Sequence, residues 1–187
     1  MKIILIGAGG AIGKIITHAL KQKHEVITAG RNCGDITVDI SSATSIENLF
    51  KQVNNIDAVV CAAGDSVTCD LSVLTEEQFY VGIKQKLLAQ INLVLIGQNY
   101  LNNNGSFTLV SGKMGDMPGK ASAGKSVING GINSFVLAAS LEMPRDIRVN
   151  VVSPSKVADI PAANLIAGYL KAIETSSNGE IIRIGYN

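Results

Sequence analysis

Four apolar residues near the start, Ile3-Ile4-Leu5-Ile6, run directly into Gly7-Ala8-Gly9-Gly10-Ala11-Ile12-Gly13. A run with no polar alternation that is too short for a helix reads as a strand buried on both faces, as in a parallel sheet. The glycines stop it, and Lys14-Ile15-Ile16-Thr17-His18-Ala19-Leu20 resumes with apolar residues at helical spacing. Strand, glycine turn and helix together give such a motif its meaning. Glycine lets the backbone take positive φ and approach a ligand closely. The helix that follows offers free N–H groups and its positive end to a pyrophosphate. By analogy with the dinucleotide fingerprint, the turn predicts a bound dinucleotide. A tight turn that binds nothing is the alternative.

The rest of the chain must supply the neighbours such a strand needs. Strands are expected at 25–29, 36–40, 57–61, 106–110, 148–152 and 180–184, and helices at 45–53, 75–101 (with a break), 120–143 and 161–175. Thr75-Glu76-Glu77-Gln78 has the form of a capping box, and the helix at 45–53 opens on the Ser45 hydroxyl. Strands separated by helices predict an α/β, Rossmann-type doubly wound parallel sheet of about seven strands, with helices on both faces. A length of 187 residues suits one domain, 1–187.

Composition removes several function classes. Sixteen basic against fifteen acidic side chains leave a charge of +1, with no basic stripe, so nucleic acid is not expected as a partner. No apolar stretch reaches the roughly 18 residues that a membrane span requires. Cys33, Cys61 and Cys69 lack Cys-x-x-Cys spacing, so neither disulfides nor a metal site is implied. The expectation is a cytoplasmic, enzyme-sized domain.

The end of the second strand selects the ribose. An acid about 20 residues beyond the glycines would bond a 2′-hydroxyl, whereas an arginine accommodates a 2′-phosphate. Ala29-Gly30-Arg31-Asn32 carries no acid. Arg31, with Asn32 beside it, therefore predicts NADP(H) over NAD(H). Asp35 would serve a 2′-hydroxyl only if the turn folded back.

In order along the chain, these segments resemble the short-chain dehydrogenase/reductase family. That family opens with Gly-x-x-x-Gly-x-Gly, matched here by Gly7 and Gly13, with Ala11 at the middle glycine. Its adenine-contacting pair is matched by Asp39-Ile40. Its Asn-Asn-Ala-Gly turn stands here as Cys61-Ala62-Ala63-Gly64. The stretch Ile147-Arg148-Val149-Asn150-Val151-Val152-Ser153-Pro154 is similar to the family's strand leading to the nicotinamide, with Ser155 where glycine is usual. The resemblance implies a cofactor held by Gly7, Gly9, Ala11, Ile12, Gly13, Arg31, Asn32, Asp39, Ile40, Ala62, Ala63, Gly64, Lys125, Pro154 and Val157.

The family's catalytic residues carry over poorly. It uses a Tyr four residues before a Lys on one helix face. The matching stretch is Ala121-Ser122-Ala123-Gly124-Lys125, which keeps the Lys and replaces the Tyr with Ala121. The family's Ser aligns with Gly112, adjacent to Ser111, and its Asn aligns with Lys86. Lys125 and Ser111 are therefore the catalytic candidates that the resemblance leaves. Lys86 and Lys113 read as solvated surface charges. If two lysines converged at the nicotinamide end, repulsion and burial would lower an ammonium pKa enough for acid–base chemistry.

Only Ser155-Lys156-Val157-Ala158-Asp159-Ile160 stands where the family inserts a variable lid, which fits a small carbonyl or alcohol substrate. Two functions fit this pattern. One is an NADP(H)-dependent oxidoreductase with a non-standard proton donor. The other is a cofactor-binding sensor or subunit without redox turnover. The helices from Thr75 and Lys120 resemble the family's dimer surface and predict a homodimer or homotetramer.

Overall fold

β1 (Lys2–Ile6) lies between β2 (Glu25–Gly30) and β4 (Ile56–Cys61), parallel to both, in the computed structural model, which describes residues 1–186. Its side chains alternate between two cores. Ile3 and Leu5 meet Ile16 and Leu20 of α1 (Ala11–Lys21) and Leu165 and Tyr169 of α6 (Ala162–Glu174). Ile4 and Ile6 join the larger core formed with α2 (Ala43–Lys51), α4 (Ala89–Gly97) and α5 (Ala123–Ala139). All four are essentially fully buried, each contributing about 1.5–3 kcal/mol of apolar burial. That is why no polar residue interrupts the run.

With β3 (Ile36–Thr37), β5 (Leu101–Val110), β6 (Arg148–Pro154) and β7 (Ile181–Ile184), the sheet has seven strands in the order β3-β2-β1-β4-β5-β6-β7. Every pairing is parallel. The order reverses between β1 and β4, and in such sheets a crevice opens at the carboxyl ends of the strands there. The doubly wound sheet expected from the sequence is the one observed.

Several boundaries differ for local reasons. β3 pairs only through Thr37, because Asp39 turns back onto Ser41. The cap of α2 is Ser42, which accepts from Ser45 N–H, while Ser45 Oγ accepts from Asp39 N–H. β5 begins at Leu101, four residues after α4 ends, with Asn102 donating to the Asp57 carboxylate at 2.7 Å. The capping box forms as expected, Thr75 Oγ1 accepting from Gln78 N–H and Gln78 Oε1 from Thr75 N–H. α3 (Glu76–Gly82) then passes through a π-helical stretch, Ile83–Leu88, into α4. Contrary to the sequence expectation, this composite helix, Glu76–Gly97, is long and apolar enough by length and composition to cross a membrane. It contains Glu76, Glu77, Lys84 and Lys86, which break any uninterrupted apolar run. Its own Ala89, Gln90, Leu93 and Val94 are buried against the protein core.

Candidate active site

The glycine turn forms one wall of a cleft of about 340 Å³ at the strand-order reversal. Gly7 has φ +87°, and a Cβ there would lie 2.8 Å from Ala63 Cβ and 2.9 Å from the Ala62 carbonyl. A Cβ on Gly13 would sit 2.1 Å from the Gly7 carbonyl oxygen, so α1 rests directly on the turn. Gly10 caps α1 without a side-chain hydrogen bond, and no acid stands in the first turn. The N–H groups of Ala11, Ile12 and Gly13 thus begin a helix whose positive end is uncompensated. A cradle that a methyl group would fill, facing a bare helix terminus, fits the pyrophosphate of a dinucleotide.

Gly7, Gly9, Arg31, Asn32, Ile40, Ala63 and Gly64 line this cleft, together with Cys33, Val38, Asp65 and Gln85. The last four were not expected, although Cys33 and Asp65 each adjoin an expected residue in sequence. Both acids near the β2 end are committed elsewhere. Asp35 folds back, but onto Thr28, accepting from its N–H and Oγ1 at 2.8 Å each. Those bonds hold its carboxyl below the usual range. Asp39 accepts from Ser41 N–H and Oγ, which lowers its carboxyl likewise, and it does not line the cleft. Arg31 is exposed at the cleft and forms no ion pair with either.

Gly64, Asp65 and Gln85 lead from the cleft to a second cluster. Lys86 lies within the π-helical stretch, and its stem packs on Gly64: a Cβ there would be 2.7 Å from Lys86 Cγ. Its Nζ donates to the Ser111 carbonyl at 3.1 Å and to Asn129 Oδ1 at 2.9 Å. Lys86 is therefore partly buried and tied to β5 and α5, against the expectation of a solvated surface charge. Burial pushes its ammonium down to about 8; Lys125 repels it further, while Asp65 pulls the other way. Burial pushes the Cys61 thiol up to about 11. Ser111, at the end of β5, is buried, and its Oγ has no hydrogen-bond partner.

The geometry also explains why Lys86 and Gln90 face β5. β4 and β5 pair no further than Val60 and Thr108. Beyond that, Gln90 takes the place of a strand: its Nε2 donates to the Val110 carbonyl and its Oε1 accepts from Val110 N–H. Lys86 then takes the next carbonyl, that of Ser111.

The expected pairing of Ala121 with Lys125 on one helix face is not found. Ser122 Oγ bonds both Gly119 N–H and Gly119 C=O, closing a turn in which Ala121 has φ +57°. α5 therefore starts at Ala123, and Ala121 lies outside it. The residue one turn beyond Lys125 is Asn129, buried against Gly112 and Gly115 and bonded to Lys86. A spacing of four forward from Lys125 was the signal that could have found it. Lys125 is partly buried and makes no hydrogen bond or ion pair among the described residues.

The remaining expected residues lie around this frame. Ala62 donates its N–H to the Ile6 carbonyl. Pro154 is buried at the end of β6, and Val157 begins a short 3-10 turn that packs against the smaller core. Near them Tyr186 bonds Ser153 Oγ at 2.6 Å and donates to Asp116 at 3.3 Å, with Lys113 5.7 Å above its ring. Burial raises the phenol above its usual range.

A family model described as Enoyl-(Acyl carrier protein) reductase matches residues 7–183. The solved protein lin1944 from Listeria innocua is similar at 41% identity over 98% of both chains, with a TM-score of 0.94. A small-chain dehydrogenase in complex with NADPH shares 21% identity over 98% of this chain and 96% of its own, TM-score 0.89. Enoyl-[acyl-carrier-protein] reductase (NADH) from Aquifex aeolicus VF5 shares 12% over 99% and 96%, TM-score 0.86. The latter two likenesses concern the fold. No curated protein matches the sequence. With its glycine turn, sheet order and family match in agreement, the chain belongs to the short-chain dehydrogenase/reductase family.

Proposed function

We propose that the protein is a cytoplasmic oxidoreductase that uses NADP(H) to interconvert a small carbonyl compound and its alcohol. The observation that carries the cofactor choice is Arg31. It lines the cleft where the ribose belongs, while Asp35 and Asp39 are held by Thr28 and Ser41. A guanidinium that forms no ion pair with either acid suits a 2′-phosphate, with Asp39 near enough only to feel its charge. The glycine turn and the start of α1 would hold the pyrophosphate, and Lys125 the nicotinamide ribose. When bound, the cofactor supplies or accepts hydride, and the protein's part is orientation and proton handling. NADPH should bind about tenfold more tightly than NADH, from one charge-assisted contact. Equal dissociation constants in a fluorescence titration would refute the preference.

A second reading has its own observation. Ala121 carries no proton and stands in a left-handed turn outside α5, so the family's phenol has no successor on that face. On this reading the protein binds the cofactor as a sensor or subunit. Steady NADPH consumption across activated aldehydes and ketones separates the two. We further propose a homodimer or homotetramer through α4 and α5, which expose Leu95, Val127 and Leu137. Light scattering at micromolar concentration reads this directly, and a monomer contradicts it.

A further inference from the structure

Lys86 is a cation without a counter-ion. Its two partners, the Ser111 carbonyl and the Asn129 amide oxygen, are neutral. An ammonium has three donors, so one N–H remains without a partner among the described residues. The charged and titratable groups around it are Cys61 from β4, Asp65 from the following loop and Lys125 from α5. The Cys61 thiol is buried and stays protonated and neutral. Asp65 forms no ion pair with Lys86 among the described residues, and Lys125 adds a like charge. A partly buried amine near a second cation and without an ion pair gives up its proton more readily than a solvated one. Its stem lies on Gly64, which lines the cleft, and the unpartnered Ser111 hydroxyl is attached to the residue that holds it.

We infer that Lys86 is the catalytic acid of this site, donating a proton from Nζ to the substrate oxygen during carbonyl reduction and recovering it in the reverse direction. The inference rests on the NADP(H) reading of the cleft. The balance is simple. A hydride from the reduced nicotinamide forms the new C–H bond at the carbonyl carbon, and the C=O π pair moves to oxygen. That oxygen takes the proton from Lys86, leaving a neutral amine, an alcohol and the oxidised nicotinamide. Solvent then reprotonates the amine. Tyr186, the nearest phenol to the end of β6, is already bonded to Ser153 and Asp116, which makes it the poorer donor.

Two measurements test this. In the cofactor-free protein, lysines labelled with carbon-13 at Cε are titrated by NMR, Lys86 being assigned by its loss in Lys86→Arg. A midpoint between about pH 7 and 9, moving upward in Lys125→Met, is expected from a partly buried amine facing a cation; a midpoint above 10 overturns the inference. Lys86→Arg keeps the charge but cannot release the proton. With NADPH and activated carbonyls it should bind NADPH within threefold of the unmutated protein and lose at least about 100-fold in kcat. A kcat within threefold overturns the inference and moves the proton to Tyr186 or solvent. NADPH that fails to bind, or binds and is never consumed by the unmutated protein, overturns the enzymatic reading itself, whereas the NMR midpoint reports on Lys86 alone.

Discussion

At the glycine end of the cleft the structure is made of backbone. Gly13 closes against main-chain atoms and Gly7 against the Ala62 backbone and the Ala63 methyl, and the start of α1 offers only N–H groups. Beside the cleft, where the Lys86 stem packs on Gly64, it is made of side chains. Lys86, Gln90 and Asn129 reach across from helices to meet β5 and one another. Backbone recognition is rigid; its N–H groups and helix dipole favour an anion but carry no titratable group, so it holds a ligand without tuning a proton. Side-chain assembly can shift a proton equilibrium, at the cost of depending on three separate elements. On the proposed reading, binding and proton transfer are divided between the cleft and the side-chain cluster beside it.

The largest expected effect breaks the backbone end. Gly13→Ala places a methyl 2.1 Å from the Gly7 carbonyl oxygen, a clash with main chain that no rotamer relieves. It should cost about 3 kcal/mol or more in urea unfolding and abolish NADPH binding. Gly119→Ala is the control: nothing lies within 4 Å of its added Cβ, so stability should move by less than about 0.5 kcal/mol. Equal effects at the two positions would contradict the packing described.

A smaller effect probes the lysine cluster through pH. Burial pushes Lys86 down to about 8 in the folded protein, against about 10.4 in an unfolded chain. Between those values the unfolded chain binds a proton that the folded one does not. Stability must therefore rise with pH across that window; the gain is complete above about 10 and lost as pH falls through about 8. Relative to Lys86→Met, the unfolding free energy should rise by roughly 2 kcal/mol from pH 7 to pH 10. Parallel pH profiles for the two proteins would show that Lys86 is not desolvated.

The smallest effect returns to the ribose. Arg31→Ala should remove most of the roughly tenfold preference for NADPH and leave NADH affinity within about twofold. A mutant that weakens both cofactors equally would place Arg31 at the shared pyrophosphate instead. That outcome would sharpen the comparison, because the glycine end would then also depend on a side chain.

How far each part could be read in the sequence follows from the same division. The glycine turn is complete within residues 3–20, so strand, turn and helix stand next to one another in the text and the pattern carries the geometry. The sheet was legible for a similar reason: each strand is a short apolar run bounded by turn residues. The lysine cluster joins residues 25 and 43 positions apart, and nothing local marks Lys86 as partly buried. Two further features hid it. The π-helical stretch changes which residues face the sheet, and no periodicity rule signals it. The Ser122 turn delays α5 to Ala123, so the residue pair sharing a face is Lys125 with Asn129 rather than Ala121 with Lys125. Arg31's place at the cleft was legible, but the fates of Asp35 and Asp39 were not, since they depend on which hydroxyls the turns bring near.

Gln90 has a consequence for how the molecule can be watched. Val110 N–H is held by a side chain on α4, whereas β5 amides such as that of Thr108 belong to the strand ladder. An amide protected by a neighbouring strand exchanges its hydrogen when the sheet opens; one protected by a docked helix exchanges when that helix lifts. In deuterated water the Val110 amide therefore reports the seating of α4 on β5, separately from the integrity of the strand that carries it.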